Sequence, residues 1–242
     1  MSRRTGAVAR VLHRLASRVS FVEDEVAGLG ELVRPGDTCV DIGAEYGLYT
    51  WPLSSLVGPT GRVHSIEPLP GPARWLRLAS RGLGSGNVVV HHTALGARAG
   101  QGTVSLPLRR GLPVHGRAYL TEGSHGPGPN AEFAAARPVR TQVHTLDQLV
   151  ERAGLEKVAF VKADVEGAEP AVLDGGRQTL RRHLPALLLE IEDRHLAKYG
   201  AGSEVVLEHL GRYGYRPHRW AKGGWTEVSG IRHDVRNYLF TV

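Results

Sequence analysis

The sequence is poor in cysteine, in long apolar runs and, near its amino end, in acidic residues. Cys39 is the only cysteine among 242 residues, which excludes an internal disulfide and a metal centre built from thiolates. We therefore expect no disulfide partner and a reducing, cytoplasmic location. No stretch approaches the roughly 18 consecutive apolar residues of a membrane-spanning helix, so we expect no membrane span.

The first twenty residues contain five arginines and no acid, as do many transit peptides and helices that lie on membrane surfaces. Their apolar residues fall near helical spacing and favour a third interpretation, a helix that packs on the domain. These apolar residues are Val8, Val11, Leu12, Leu15 and Val19. We expect a helical cap over residues 1–34 and one domain over residues 35–242.

The chain has a net charge of +6 and an isoelectric point near 9.8, which would suit an acidic partner such as nucleic acid. Arginine supplies almost all of the positive charge, but it is scattered along the chain among acids. No appended RNA-binding module or aromatic stacking motif accompanies it. We therefore expect a small-molecule acceptor and no nucleic acid as partner; a homo-oligomer is compatible with the sequence.

Short apolar segments alternate with amphipathic ones, which predicts an α/β fold. The expected strands lie near residues 38–42, 62–66, 87–93, 158–163 and 186–191, and the expected helices near 46–57, 71–81, 167–182 and 203–213. Another helix is expected over residues 21–35, because Pro35-Gly36 is a stop signal. This alternation favours a parallel sheet with helices on both faces. The segments YRPHRW and RNYLFTV at the end of the chain predict a hairpin.

Residues 107–138 interrupt the alternation. Their flanks, GTVSL and VRTQVHT, alternate like strands, whereas the centre is rich in Gly, Pro and His and lacks apolar periodicity. A long insertion in a compact domain is usually functional or disordered. We therefore expect a mobile flap with few means of packing into the core.

The segment CVDIGAEYGLYT, residues 39–50, joins an apolar strand to a glycine-bearing turn and a helix. Gly43 and Gly47 permit a tight turn and a close approach of a ligand to the backbone. The spacing D-x-G-x-x-x-G differs from the G-x-G-x-x-G that receives a pyrophosphate. Asp41 would repel phosphates and suits a ligand with a cationic amino-acid end, such as S-adenosylmethionine. Glu67, at the end of the next strand, suits the hydroxyls of a ribose.

Four segments, DIGAEYG, IEP, VKADVEGAE and LLLEIED, together resemble the FkbM-type family of S-adenosylmethionine-dependent methyltransferases over about Leu32 to Tyr215. The third segment is the most specific. The resemblance implies a class I methyltransferase fold, which is Rossmann-like and has a mostly parallel seven-stranded sheet with an antiparallel last strand. The family usually carries Asn where this chain has Glu45, so the ligand contact at that position is open.

The expected cofactor-binding residues belong to the loop after the first strand, the end of the second strand, the adenine pocket after the third strand and the end of the fourth. They are Asp41, Gly43, Ala44, Glu45, Tyr46, Gly47, Tyr49, Thr50, Glu67, Pro68, Thr93, Ala94, Leu95 and Asp164.

Methyl transfer from a sulfonium mainly requires alignment of the nucleophile, the methyl group and the sulfur. A base is needed when the acceptor is a poorly acidic alcohol. Asp164 is the first candidate base, because ligands gather at the carboxyl ends of parallel strands; a cofactor-binding or loop-capping role is the alternative. Lys162, on the same strand face, would orient the ligands or form a buried ion pair. His144 is a further candidate base.

Glu166, Glu190 and His195 are the candidates for substrate contact, because they follow or end the fourth and fifth strands. Glu169 is expected to stabilise a helix start instead. Glu190 and Asp164 could alternatively hold Mg²⁺, which prefers oxygen ligands. Their spacing is not diagnostic, and we assign no metal ligand.

The sequence thus indicates an S-adenosylmethionine-dependent O-methyltransferase, and the resemblance implies a hydroxyl acceptor on a sugar or a polyketide-type metabolite. Two alternatives stay open. A nucleic-acid methyltransferase would show a basic groove beside the methyl site. A non-catalytic cofactor-binding module would have a closed pocket or no room for an acceptor.

Overall fold

The computed structural model describes residues 3–15, 23–232 and 234–242. The α-helices in these ranges are α1 Arg3–Leu15, α2 Leu29–Leu32, α3 Thr50–Val57, α4 Pro70–Leu83, α5 Leu146–Arg152, α6 Glu169–Asp174, α7 Arg177–His183, α8 Asp193–Leu196 and α9 Ser203–Gly211. The strands are β1 Thr38–Ile42, β2 Arg62–Ile66, β3 Val88–His91, β4 Ala94–Leu95, β5 Gly100–Arg109, β6 Leu112–Pro113, β7 Tyr119–Leu120, β8 Ala135–His144, β9 Phe160–Ala163, β10 Ala186–Glu190, β11 Arg216–Ala221, β12 Gly224–Glu227 and β13 Asn237–Thr241.

The main sheet has eight strands in the order β12-β11-β13-β10-β9-β1-β2-β3. The pairings from β10 to β3 are parallel, and β13 runs antiparallel to β10. The resemblance implied seven strands; the eighth, β12, forms a hairpin with β11 at the sheet edge. Lys222 and Gly223 both have positive φ, 53° and 82°, as a tight two-residue hairpin turn requires.

Helices cover both faces of this sheet, as the alternation predicted. On one face, helices α5, α6, α7 and α9 pack against it through Leu149, Val172, Leu180 and Val206. On the other face, the residues before β1 and helix α3 supply Leu29 and Leu53. Strands β1, β9 and β10, at the centre of the sheet, are mostly apolar, which is the expected composition of buried parallel strands.

The amino-terminal region differs in part from the expected helices. Helix α1 packs on the domain, with Val8 and Leu12 against a cluster that contains Trp51 and Leu76; Val19 lies outside the described residues. The helix expected over 21–35 is shorter, because a 3₁₀ turn at Asp24–Gly28 precedes α2. Among the described residues, no helix is both long and apolar enough to cross a membrane.

The insertion is folded, contrary to the expectation of a flap with few means of packing. Strands β5 and β8 pair antiparallel from Gly100–Val143 to Leu108–Ala135 within a second, five-stranded sheet. The centre is held by hydrogen bonds to distant residues: the Tyr199 hydroxyl donates to the Leu120 carbonyl at 2.6 Å, and the His125 amide donates to the Lys198 carbonyl at 2.6 Å. Apolar periodicity cannot reveal such contacts.

Candidate active site

A cavity of about 250 Å³ lies where the carboxyl ends of β1, β2, β9 and β10 meet, under one part of the insertion. Nine of the expected site residues line it: Gly43, Glu45, Glu67, Pro68, Ala94, Leu95, Asp164, Glu166 and Glu190. The insertion supplies His115, Gly116, Arg117, Ala118, Tyr119 and Leu120, and other parts of the chain supply Glu23, Glu192, Arg194 and Arg236.

Gly43 lets the loop after β1 pass directly over the end of β9. Its φ is +80°, and a Cβ there would lie 1.9 Å from the Asp164 carbonyl oxygen. The amides of Gly43 and Ala44 donate to the Ile66 carbonyl at 3.0 and 3.1 Å. Because φ is also positive at Glu45, 43°, the chain reverses and places Glu45 on the cavity wall.

Asp41 lies beneath this loop and not in the cavity lining, contrary to its expected role as a cofactor contact. Its carboxylate accepts from the Thr50 hydroxyl at 2.5 Å, and Thr50 also contacts the Ser65 hydroxyl at 2.8 Å. Burial raises the pKa of Asp41 to about 6. These hydrogen bonds indicate that Asp41 and Thr50 stabilise the glycine loop, which is the turn after β1 that contains Gly43 and Gly47.

Glu67 reaches the cavity from the end of β2. One carboxylate oxygen accepts from the Glu45 amide at 2.9 Å and the other from the Leu69 amide at 2.7 Å. A carboxylate has about four acceptor positions, so each oxygen can accept one more hydrogen bond. Burial raises the pKa of Glu67 to about 7.

Several other expected cofactor contacts do not line the cavity and have protein partners. The Thr93 hydroxyl donates to the Gln142 carbonyl at 2.7 Å. Tyr46 is exposed, and its hydroxyl lies 3.2 Å from Nδ1 of His115. Tyr49 is buried and donates to Glu23. Gly47 serves the turn, since a Cβ there would lie 2.4 Å from Trp51 Nε1.

Asp164 and Glu190 form the acidic end of the cavity. Burial, together with the neighbouring Asp164 carboxylate, raises the pKa of Glu190 far above its usual range. Glu190 therefore retains a proton at neutral pH and shares it in a hydrogen bond with Asp164. Asp164 remains about one-third exposed, with a side-chain exposure of 34%, so it can contact a ligand in the cavity.

Lys162 lies below this pair and does not line the cavity. Its ammonium donates to Oδ1 of Asn237 at 3.0 Å and lies 4.0 Å from Oδ2 of Asp164. Burial alone would lower the pKa of Lys162, but Asp164 and three further carboxylates raise it overall. The buried, charged Lys162 holds the Asp164 carboxylate in place from the side away from the cavity. This favours a buried ion pair over a direct role of Lys162 in orienting the ligands.

Glu23, Asp164 and Glu190 each place a carboxylate oxygen within 4.8 Å of the other two. Oxygen ligands of this kind suit Mg²⁺. However, the proton on Glu190 and the nearby Lys162 ammonium already compensate this cluster, so the contacts observed account for the carboxylates without an ion.

Glu166 lines the cavity, but its carboxylate contacts His195, which lies outside the cavity lining, and their expected role in substrate binding stays a prediction. His195 is buried, and its Nδ1 forms a close ion-pair contact with Glu166. The same carboxylate lies 3.7 Å from Lys198 Nζ and 4.0 Å from Arg117 Nε. Lys198 also lies 4.4 Å from the centre of the Tyr119 ring. The Glu166 carboxylate therefore contacts the insertion through Arg117 and the segment after β10 through His195 and Lys198, and so links the two.

Glu166→Leu should lower the free energy of unfolding by about 3 to 5 kcal/mol, because it leaves buried cationic groups without their carboxylate. The control is Glu208→Leu, which removes an exposed ion pair with Arg212 and should change stability by less than about 0.5 kcal/mol. Urea unfolding measures both. Equal stability of the two variants would show that Glu166 does not fasten the insertion.

His144 does not join the site. It ends β8, and its ring lies 3.3 Å from the Arg152 guanidinium on helix α5, outside the cavity lining. Sequence reasoning also missed Glu23, Arg117, Arg194 and Arg236. None of them belongs to a recognisable motif, and only the fold brings them to the cavity.

Comparison with known proteins shows the family of this chain. The sequence profile of the methyltransferase FkbM domain matches residues 41–217. The chain belongs to this family. It is therefore an FkbM-family, S-adenosylmethionine-dependent methyltransferase with the class I Rossmann-like α/β fold.

Two relatives show how far the similarity extends. The 31-O-demethyl-FK506 methyltransferase FkbM of Streptomyces tacrolimicus is 26% identical over 230 residues, which cover 82% of each chain. The AMB antimetabolite synthetase AmbE of Pseudomonas aeruginosa is 26% identical over 216 residues. That match covers 79% of this chain but only 10% of the synthetase.

A crystal structure of methyltransferase FkbM from Methylobacillus flagellatus KT has the same fold, with a TM-score of 0.52 and 16% identity. The similarity covers 99% of this chain and 59% of that one. The chain therefore spans about three fifths of the length of that protein and about a tenth of the length of the synthetase.

Proposed function

We propose that this FkbM-family protein transfers the methyl group of S-adenosylmethionine to a hydroxyl of a small molecule, such as a sugar or a polyketide-type metabolite. The observation that carries this proposal is the carboxyl pair Asp164–Glu190, which lies at one end of the cavity that Glu67 and the glycine loop line. The relative from S. tacrolimicus, whose name describes an O-methylation, supports a hydroxyl as the acceptor.

The residues present fit the cofactor. Glu67 has unused acceptor positions toward the cavity, which suit two ribose hydroxyls. Gly43 lines the cavity and has no side chain to project into it. Pro68, Ala94 and Leu95 supply an apolar wall for an adenine. When bound, S-adenosylmethionine supplies a methyl group on a positively charged sulfur, and the carboxylates of this cavity stabilise that charge.

Asp164 is the base in this proposal. The acceptor hydroxyl donates a hydrogen bond to Asp164, and its proton passes to that carboxylate as the oxygen takes the methyl group. Glu190, still protonated, keeps its hydrogen bond to Asp164 and fixes the carboxylate orientation. Lys162 supports Asp164 from the buried side of the strand. The insertion covers the cavity and limits the access of water.

The affinity for S-adenosylhomocysteine should rise from pH 6 to about pH 7.5 and then level off. Burial raises the pKa of Glu67 to about 7, and only the ionised carboxylate accepts hydrogen bonds from both ribose hydroxyls. Glu67→Gln should remove this pH dependence and weaken binding at pH 8 by tenfold or more, since a charge-assisted hydrogen bond contributes about 1.5 to 3 kcal/mol. Calorimetry across pH measures both effects.

Glu169→Gln is the matched control. Burial raises the pKa of Glu169 to about 7 as well, but this residue lies outside the cavity lining, so the variant should retain the pH dependence. Unchanged affinity in Glu67→Gln would contradict the assignment of the ribose site. Binding of the cofactor without turnover of any hydroxyl acceptor would favour the non-catalytic module, and turnover of RNA would favour the nucleic-acid methyltransferase.

The same assay tests the Mg²⁺ alternative. The protonated Glu190 and the adjacent Lys162 lead us to expect that a chelator leaves turnover unchanged. If a chelator abolishes turnover and Mg²⁺ restores it, Glu23, Asp164 and Glu190 hold a metal ion and Asp164 is not the base.

A further inference from the structure

Two arginines stand on the cavity wall and share one carboxylate. Arg194 donates from Nε and Nη2 to the two oxygens of Glu192, at 2.7 and 3.0 Å. Nε of Arg236 lies 3.6 Å from Glu192 Oε1. The two arginine side chains are nevertheless 45% and 65% exposed. Each guanidinium has five N–H donors, so one carboxylate leaves several donors free toward the cavity.

Their position follows from the chain direction after β10. Glu190 and Glu192 flank the buried Ile191 and both line the cavity. The backbone at Glu192 is still extended, with φ −126° and ψ 117°. Two residues of extended chain span about 7 Å. The arginines that contact Glu192 therefore line the cavity beyond the end of the strand that carries Glu190.

The two ends of this cavity differ in charge. Glu23, Asp164 and Glu190 surround the acidic end, where an anion would be repelled. Elsewhere on the cavity wall, Arg194 and Arg236 both contact one carboxylate, that of Glu192. An acceptor with one hydroxyl and one anionic group could bind in only one direction, with the hydroxyl at Asp164.

We propose that the methyl acceptor carries a phosphate or carboxylate group, which Arg194 and Arg236 bind while the hydroxyl that is methylated lies at Asp164. This inference rests on the proposed function for the identity of the reacting hydroxyl. The planar guanidinium fork matches both kinds of anion, because each presents two oxygens to parallel N–H donors. Arg194 and Arg236 thereby determine both the orientation and the class of the acceptor.

The test uses the full chain, with inorganic phosphate and acetate as probes at constant ionic strength. Each anion is titrated by calorimetry into the protein alone and into its complex with S-adenosylhomocysteine. Wild type should bind at least one of the two anions saturably, and the stronger probe distinguishes a phosphate from a carboxylate acceptor. Arg194→Ala/Arg236→Ala should weaken that binding at least tenfold, whereas the affinity for S-adenosylhomocysteine should change less than twofold.

Arg212→Ala/Arg216→Ala is the matched control, because it removes two arginines from exposed ion pairs with Glu208 and Glu227. It should bind the anions as wild type does. Equal anion binding by all three proteins would overturn the proposal. So would a tenfold loss of S-adenosylhomocysteine affinity in the Arg194/Arg236 variant, which would make these arginines cofactor ligands. If wild type binds anions but not S-adenosylhomocysteine, the proposed function fails while the anion site stands.

Discussion

Asp164→Asn should lower methyl-transfer turnover by about 10²- to 10⁴-fold, the range typical for loss of a general base. The amide keeps the shape of the carboxylate and can still hydrogen-bond to Glu190, but it cannot take the proton of the acceptor. The affinity for S-adenosylhomocysteine should change little, because Glu67 and the glycine loop are untouched. Turnover and calorimetric affinity are measured on the same preparation.

The turnover of Glu190→Gln, compared with that of Asp164→Asn, separates the roles of the two acids. Because Glu190 retains its proton at neutral pH, an amide resembles the carboxyl that it replaces, and the loss of turnover should be less than about tenfold. Asp174→Asn, which removes an exposed carboxylate that pairs with Arg177, should leave turnover unchanged. Equal losses of turnover and cofactor affinity in Asp164→Asn would make Asp164 a cofactor ligand only.

The relation between Asp164 and Glu190 also explains why sequence alone left their roles open. Both follow apolar strands, and period-two alternation places each at the carboxyl edge. Which of two adjacent acids holds a proton depends on burial and on their mutual distance. Neither quantity can be obtained from strand spacing.

Local signals in the sequence carry the predictions for the turn after β1 and for Glu67, and these site assignments stay predictions. The turn after β1 needs Gly43, and Glu67 closes an apolar strand, so pattern and residue type together predict a ligand site there. The parallel sheet follows from the alternation of strands and helices. The contacts of Asp41 could not be foreseen, because an acid two positions before the first glycine of a turn can support the turn as readily as contact a ligand.

The features that the sequence did not reveal, which are the contacts of Glu166 and the structure of the insertion, depend on long-range packing. Glu166 looked like a free acid at a strand end, yet its partners Arg117, His195 and Lys198 come from two other parts of the chain. The insertion looked unstructured because much of its order comes from backbone hydrogen bonds and ion pairs with distant residues, and its apolar contacts, through Ala118 and Leu120, are few and not periodic in the sequence. Such contacts have no periodicity that a sequence can show.

The second large expected effect is a loss of turnover when the centre of the insertion is removed. Replacing residues 111–130 with a short Gly-Ser linker should lower turnover at least 100-fold, because His115, Arg117, Tyr119 and Leu120 form one wall of the cavity. Without that wall, water enters the site and the acceptor is no longer held against Asp164. Affinity for S-adenosylhomocysteine should fall less than tenfold, since Glu67 and the loop after β1 remain.

The design preserves the surrounding structure. The ladder between β5 and β8 reaches the pair Leu108–Ala135, so the linker closes a hairpin whose strands remain paired. Arg109→Ala is the control, because it removes an exposed ion pair with Glu132 within the same insertion and leaves the cavity wall in place. Its turnover should equal that of wild type. A linker variant that methylates the same acceptor as efficiently as wild type would show that the insertion is a tolerated surface structure, and the acceptor would then have to be held by the Glu192 side of the cavity alone.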